Sequence, residues 1–262
     1  MPTTDELKQR LKEAAQQECG EFAMALLVSE VIDPQIEGEK LRQSFIDLLA
    51  PVEQSEAVDV TQLLAFFRQS GFASRRAEPA DLSHSNLQWV IAQRQGLPIA
   101  VASIIIEAGR RYGLAAHGIN FPGHFLVSLE QQIVDPLSLR TLGLQQLGAK
   151  LTAQQQQEIM QPTQTSVFGL RMLNNVKIQY AQAQNWFEVL DILECQLMVE
   201  TVDQSAQAAL QFERGECLLQ MEQPPRAQQA YMTCLEMSPP PALALQAEQR
   251  LQQLRQQPKI LH

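Results

Sequence analysis

Apolar residues recur at helical spacing through the first 80 residues of the chain. Residues 22–31 form a strongly apolar segment, and residues 39–49 and 60–67 place apolar side chains three and four positions apart. Each of the last two segments ends at a residue that interrupts helices, Pro51 after the first and Gly71 after the second. The pattern predicts three helices in this region, separated by polar loops.

A second pair of helices follows a polar stretch. Residues 86–94 carry apolar side chains on one side, and Gly96 is expected to supply a left-handed cap at the end of this short helix. Pro98 suits the first turn of a new helix, which residues 98–112 continue. Because that segment is apolar nearly all round, we expect the helix to be buried on most of its sides. Gly113 ends it.

Short alternating or apolar runs predict strands at residues 118–121, 125–129 and 133–135. A two-residue turn at Glu130 and Gln131 would set Asp135 opposite Leu126. His124 would then share the face of Leu126 and lie diagonal to Asp135. Cβ atoms in that relation are about 7 Å apart, which a His–Asp hydrogen bond can span. A three-residue turn would instead put the two side chains on opposite faces of the sheet.

From residue 170 onward the pattern is entirely helical and repetitive. A set of apolar and polar positions recurs 38 residues later, and the second copy has the spacing of a tetratricopeptide repeat. The positions of that second copy are Gly215, Leu218, Ala227, Tyr231 and Pro239. The first copy fits less well, because Lys177 stands at its glycine position and Val189 at its alanine position. A helix over residues 242–254 is expected to cap the stack.

These elements predict an α+β fold that is mostly helical, with a small antiparallel sheet, followed by an all-α repeat domain. The first domain is expected to cover residues 1–150, with a helical part to residue 80 and a core over 81–150. Residues 151–168, which are rich in glutamine, are assigned to a connector. Residues 169–262 are assigned to the helical repeats and their capping helix.

Composition narrows the classes of function. The chain has 262 residues and a formal net charge of −9, so it lacks the basic surface of a nucleic-acid-binding protein. No apolar run reaches the roughly 18 residues of a membrane span. Residues 1–19 are polar and lack the apolar stretch of a signal peptide. We therefore expect a cytoplasmic protein that binds neither nucleic acid nor membrane.

The cysteines and histidines give no sign of a metal or cofactor. The four cysteines are widely spaced and include no Cys-x-x-Cys pair, which predicts reduced thiols in a cytosolic protein. The four histidines contain no pair at ligand spacing. We predict no metal site and no cofactor.

Three parts of a cysteine-protease-like site can be recognised, and one of them is incomplete. A thiol nucleophile needs a helix N-terminus to lower its pKa, a histidine to accept its proton and a third group to orient that histidine. The helix that begins at Pro98 matches the first part, His124 the second and Asp135 the third, in this order along the chain. No cysteine stands at the helix start.

Residues 86–142 resemble, in the order of their elements, the transglutaminase-like core of the papain-like superfamily. The chain is more narrowly similar to a bacterial family of transglutaminase-like proteins with C-terminal tetratricopeptide repeats, the SirB-type invasion-regulator homologues. The strings that carry this resemblance are Ser70-Gly-Phe, Arg94-x-Gly-x-Pro, Pro122-Gly-His-Phe, Asp135-Pro, the segment from Leu173 to Tyr180 and Glu213-Arg-Gly.

The resemblance assigns roles to particular residues. It makes His124 and Asp135 the counterparts of the triad base and orienter, and it puts the cysteine position at residues 98–100. Members of that family generally lack the cysteine. Pro98 also removes a backbone N–H that an oxyanion site could use. The resemblance therefore implies a transglutaminase-like pseudoenzyme.

Two functions stay open on the sequence. The first is a non-catalytic module that binds a protein or peptide, or acts as a regulator, through its core cleft and its repeats. Lys177 and Arg214 are candidates for holding a peptide carboxylate. The second is an acyl-transfer enzyme, an amide hydrolase or transamidase, in which His124 and Asp135 work with a non-standard nucleophile. Ser103, Cys19 or a water molecule activated by His124 could supply that nucleophile.

Overall fold

The computed structural model describes residues 3–52, 58–72, 81–147, 160–200 and 203–256. The chain divides into two compact units, Met1–Met172 and Leu173–His262. Of the connector expected at 151–168, residues 151–159 lie outside the described part of the chain. Its last residues belong to the first unit, because Thr163 Oγ1 donates to the Gly118 carbonyl at 2.8 Å and Thr165 N donates to Glu18 Oε2 at 2.7 Å.

Three of the first four helices described in the first unit lie where the apolar pattern predicted them. Helix α1 was not assigned from that pattern, because its mean hydropathy is low; a capping box between Thr3 and Glu6 starts it. The helices of this unit are α1 (Thr4–Gln16), α2 (Glu21–Ile32), α3 (Gly38–Leu49), α4 (Val60–Gln69), α5 (Leu87–Gln93) and α6 (Pro98–Arg111). Helix α6 is buried along most of its length, as its all-round apolar sequence predicted.

The junction between α5 and α6 differs from the prediction in one respect. Arg94, with φ 62°, is the left-handed residue that ends α5, and Gly96 is not. Gly96 is needed for space instead, because a Cβ there would lie 2.7 Å from Val90 Cγ2. The Leu97 N–H donates to the His84 carbonyl at 2.8 Å and fixes the position at which α6 begins.

Four antiparallel strands form one sheet in sequence order. They are β1 (Ala116–Phe121), β2 (His124–Leu129), β3 (Gln132–Asp135) and β4 (Arg140–Leu142). The first three match the predicted strands. Strand β4 was missed because it has only three residues and none of them is buried, so it shows no apolar alternation.

The sheet has two distinct faces, which fix where the candidate site residues point. Ala116 and Leu129 lie on the face that contacts α6: a Cβ at Gly109 would be 3.0 Å from Ala116 Cβ and 2.9 Å from Leu129 Cδ2. We call this the helix face. Leu126 and Ile133 lie on the opposite face, which we call the second face, and belong to a separate apolar cluster there.

The second unit is built from helices. Helix α7 (Thr165–Gln182) crosses the boundary between the units, and it is followed by α8 (Trp186–Val199), α9 (Gln204–Gln220), α10 (Pro224–Glu236) and α11 (Pro241–Gln256). Each of the last three packs against its predecessor in sequence. The core between them includes Leu193, Leu218, Ala227, Tyr231 and Leu251. The mostly helical character and the small antiparallel sheet predicted from the sequence are confirmed.

Within the described ranges, no single helix combines the length and apolar character needed to cross a membrane. Helices α5 and α6 reach that length and composition only as a pair, and they meet at an 80° bend. In the same ranges, no group of three or more His, Cys, Asp and Glu side chains is arranged to hold a metal ion.

Candidate functional site

The start of α6, where a catalytic cysteine would be expected, carries no nucleophile. Pro98 is the first residue of the helix, and the preceding Leu97 makes no side-chain cap. Ile99 and Ala100 are apolar and buried. Since proline has no N–H, the first turn also offers one donor fewer to an anion. The residues at this position pack in the core and carry no group that could attack a carbonyl.

His124 begins β2 at the tip of the β1–β2 hairpin. Its backbone pairs with Phe121 across a turn in which Gly123 has φ 76°. The imidazole is exposed, and the described residues provide it with no hydrogen-bond partner. The backbone of His124 is fixed by its pairing with Phe121 and by Arg171 Nη1, which donates to the His124 carbonyl at 3.3 Å.

Asp135 ends β3, and its carboxylate is used by the turn that follows. It accepts from the backbone N–H groups of Leu137 at 3.0 Å and Ser138 at 3.3 Å, and from Ser138 Oγ at 2.7 Å. Three donors satisfy most of the capacity of a carboxylate, which explains why this side chain stays at the turn. Asp135 therefore acts as a strand terminator in this structure.

The predicted register between β2 and β3 is confirmed. Glu130 and Gln131 form a two-residue turn with φ 48° and 63°, and Leu129 pairs with Gln132. The pairing of Val127 with Val134 puts the next position outward, Leu126, opposite Asp135. His124 and Asp135 thus share the second face. The hydrogen bond that this register permits between them is not formed, since Asp135 is engaged by Leu137 and Ser138.

His124 and the start of α6 belong to opposite sides of the sheet. Side chains alternate along a strand, so His124 points to the same face as Leu126, whereas Leu129 points to α6. The three expected parts of the site are therefore present in the chain but do not converge. His124 and Asp135 share a face without contact, and Pro98 belongs to the helix on the other face.

Neither proposed substitute nucleophile is activated. Ser103 is fully buried in α6, and its hydroxyl donates to the Ala100 carbonyl one turn earlier at 2.8 Å. Cys19 lies between α1 and α2 and lines a cavity of about 820 Å³ together with Arg10 and Arg42. Although Cys19 is exposed as a residue, partial desolvation raises the pKa of its thiol, which is the opposite of the lowered pKa that a nucleophilic cysteine requires.

Arg171 organises the hairpin tip, and the sequence reasoning missed it. Its Nη1 donates to Asn120 Oδ1 at 2.5 Å and to the Phe121 carbonyl at 3.1 Å, in addition to the His124 carbonyl. The guanidinium also stacks 5.6 Å from the ring centroid of Phe125, and burial lowers the pKa of Arg171. The sequence signal was a single arginine within an otherwise apolar stretch of α7.

Arg94, the first residue of the Arg-x-Gly-x-Pro string, covers Phe72. Its guanidinium carbon lies 5.4 Å from the Phe72 ring centroid. One of its terminal nitrogens, Nη1, is buried without a hydrogen-bond partner in the described part of the chain, and burial lowers the pKa of Arg94. The residue combines a helix-ending conformation with a cation–π contact.

In the second unit, the two basic candidates are both close to carboxylates. Lys177 is buried and forms an ion pair with Glu213, beside a cavity of about 260 Å³ that Ile178 and Trp186 also line. Arg214 Nη2 lies 3.9 Å from Glu194 Oε1, and its buried Nε has no hydrogen-bond partner among the residues that the structure describes. A peptide carboxylate would have to compete with Glu213 for Lys177.

Comparison with family models gives one match, to a model described as the transglutaminase-like superfamily, over residues 5–174. The match covers α2 to α6, nearly all of α1 and the four-stranded sheet described above. No solved structure gave a significant match.

Several curated bacterial proteins are similar to the chain. It is 27% identical over 186 residues to the "UPF0162 protein" of Xylella fastidiosa strain Temecula1, which covers 63% of this chain and 66% of that protein. It is 26% identical over 125 residues to the "UPF0162 protein" of Vibrio cholerae, which covers 44% and 45% of the two chains. A Pseudomonas aeruginosa protein of the same description is 33% identical over 82 residues, 30% of each chain. The chain thus spans just under two thirds of the Xylella protein and less than half of the others.

Proposed function

Since the chain belongs to the transglutaminase-like superfamily, we propose that it is a member without acyl-transfer activity that binds a protein or peptide. The observation that carries this proposal is the separation of the triad positions. Pro98 stands at the start of α6 on the helix face of the sheet, whereas His124 points to the second face. Acyl transfer by a thiol needs the nucleophile and its base within hydrogen-bond reach.

We also propose that α7 to α11 are tetratricopeptide-like repeats of the SirB type and supply the binding surface. The close packing of α9 on α10 at Gly215 and the burial of Ala227 support this, since small residues at these positions match the repeat spacing. The surface around the small cavity of this unit combines the exposed Ile178 with Trp186 and the Lys177–Glu213 ion pair. Apolar area rimmed by paired charges is typical of a protein contact site.

The catalytic half of the proposal is tested with the full chain and two variants. Wild type, His124→Ala and Asp135→Ala are incubated with a p-nitrophenyl ester and with a glutamine-containing protein plus a fluorescent amine. We expect all three to give the rate of the uncatalysed reaction, with circular dichroism spectra that coincide. Turnover by the wild type that His124→Ala abolishes, with folding intact, would establish the acyl-transfer alternative.

The binding half is tested by crosslinked capture from native lysate with the full chain as bait. Ile178→Asp puts a charge on the proposed surface, and Leu245→Asp, at an exposed leucine of α11, is its matched control. We expect a captured protein that Ile178→Asp loses and Leu245→Asp keeps. A partner retained equally by both variants would exclude this surface.

A further inference from the structure

A cavity of about 600 Å³ lies on the second face of the sheet, near the β2–β3 turn. His117 and Ser128, which are paired across β1 and β2, line it side by side, and Gln131, Gln132 and Thr141 are its other polar lining residues. Ile133, Leu142 and Met160 form apolar walls. A volume of this size is in the range of small-molecule sites. His124 is four residues from Ser128 along β2, about 13 Å at the rise of a strand, so this cavity is separate from the candidate site above.

Ser128 is the unusual residue of the cavity. It is fully buried, and none of the described residues gives its Oγ a hydrogen-bond partner. Buried hydroxyl groups nearly always find a partner, and one without a partner destabilises the folded state. Neighbouring positions of β2 carry Leu126, Val127 and Leu129, which are apolar. The unpaired hydroxyl therefore lowers the stability of the folded state, and the fold itself gives no reason for a serine at this position.

His117 provides the complementary group. Its Nε2 lies 3.1 Å from the Met160 carbonyl oxygen, and a carbonyl can only accept, so Nε2 carries a proton. In the neutral ring Nδ1 then has a free lone pair and can accept a hydrogen bond. Directly paired residues of antiparallel strands have Cβ atoms about 5 Å apart, so the Ser128 hydroxyl and His117 Nδ1 can serve one ligand.

We propose that this cavity binds an uncharged small molecule with an apolar body and one group that both donates and accepts hydrogen bonds, such as a primary amide or a lactam. No described residue that lines it is charged, so a charged ligand would lose its hydration without compensation. The Ser128 hydroxyl meets the acceptor of the ligand after a change of its χ1 rotamer, and His117 Nδ1 meets the donor. The inference does not rest on the proposed function.

Benzamide is the probe, because it joins an apolar ring to a primary amide, and benzoate is its charged counterpart. Titrations of the full chain are followed by ¹H–¹⁵N correlation spectra. We expect saturable shifts at residues 117, 128 and 133 with benzamide, and about tenfold weaker binding by Ser128→Ala, the loss of one hydrogen bond. Ser128→Ala should also raise the midpoint of thermal unfolding by about 2–4 °C, because it removes the unpaired hydroxyl.

Ser44→Ala, at an exposed serine of α3, is the matched control and should leave benzamide binding unchanged. A gain in stability together with a loss of binding is the signature of a hydroxyl kept for a ligand. The inference is overturned if the wild type shows no saturable benzamide shifts, if benzoate binds as tightly as benzamide, or if Ser128→Ala binds benzamide like the wild type.

Discussion

Tyr231 of α10 lies directly against the backbone of Gly215 in α9. A Cβ at residue 215 would be 2.7 Å from both Cδ1 and Cζ of the tyrosine ring, closer than real Cβ atoms approach other atoms. The ring is fully buried and cannot turn aside. Two of the positions that made the second repeat recognisable in the sequence are thus one contact, in which the missing side chain of Gly215 makes room for the ring.

Gly215→Ala should destabilise the second unit, although the same change in an open helix stabilises. Alanine gains about 1 kcal/mol in helix propensity, but overpacking against a fixed ring costs typically 1–3 kcal/mol. We expect a net loss of up to about 2 kcal/mol in the free energy of unfolding, measured by urea titration with circular dichroism. Tyr231→Leu in the same chain should recover part of that loss, and strictly additive effects of the two changes would contradict the contact.

Tyr231 also makes the stability of the folded state depend on pH in the alkaline range. Its hydroxyl donates to Glu216 Oε1 at 2.5 Å, and Arg250 binds the same carboxylate through Nε and Nη2, both at 2.7 Å. Burial first, and then the contact with Glu216, raise the pKa of Tyr231 above its usual value of 10.0. The unfolded chain therefore releases this proton at lower pH than the folded chain. The stability due to the phenol is complete below pH 10 and declines as the pH rises above it.

Tyr231→Phe tests this dependence. At pH 8 the variant should be less stable by about 1–2 kcal/mol, because a hydrogen bond to a charged group is lost. Above pH 10 the wild type should lose stability with pH more steeply than the variant, so that the difference between them shrinks. Urea titrations at pH 8, 10 and 11 measure it, and parallel pH profiles of the two proteins would contradict the assignment.

Glu21 ties the start of α2 to the sheet and to the end of α6. Its Oε1 accepts from the Gly118 N–H at 2.8 Å, and its Oε2 lies 2.8 Å from Arg110 Nη1. The side chain is only 3% exposed. Glu21→Ala leaves a buried N–H and a partly buried guanidinium without their partner, and we expect a loss of about 2–4 kcal/mol in the free energy of unfolding.

The exposed Glu37–Lys40 pair is the control for Glu21. Its atoms are 2.6 Å apart, but the two side chains are 64% and 76% exposed. Glu37→Ala should therefore change the free energy of unfolding by less than about 0.5 kcal/mol. Equal effects of the two changes in urea titrations would show that burial does not set the contribution of Glu21.

The sequence predicted the elements well because their signals are local. The two-residue turn at Glu130 and Gln131 fixed the register that puts His124 and Asp135 on one face. The order of the elements along the chain does not show which face of the sheet α6 covers. Pro98 and His124 are separated because α6 covers the face opposite to the one that carries the His124 side chain. The face that α6 covers depends on contacts such as those of Gly109 with Ala116 and Leu129, which form only when the strands fold back onto the helix.

Local glycine rules also failed where space mattered more than backbone conformation. Gly96 was expected to be left-handed because it follows a helix, yet Arg94 takes that conformation. The contact that excludes a side chain at Gly96, with Val90 of the preceding helix, becomes visible only when the turn has been built. The role of Arg171 was missed for a similar reason, since its three acceptors are about 50 residues away in the chain.

Thiol reactivity separates the proposed function from the acyl-transfer alternative. Cys19 is exposed, whereas Cys195, Cys217 and Cys234 are buried, and burial raises the pKa of Cys217 to about 11. Ellman's reagent should therefore label one thiol of the native full chain, and Cys19→Ser should remove it. Because the pKa of Cys19 is raised as well, labelling at pH 7 should be slower than that of free cysteine and should go on accelerating above pH 9.0, the ordinary pKa of a cysteine thiol. A Cys19 that reacts faster than free cysteine at pH 7 would be an activated nucleophile and would contradict the non-catalytic proposal.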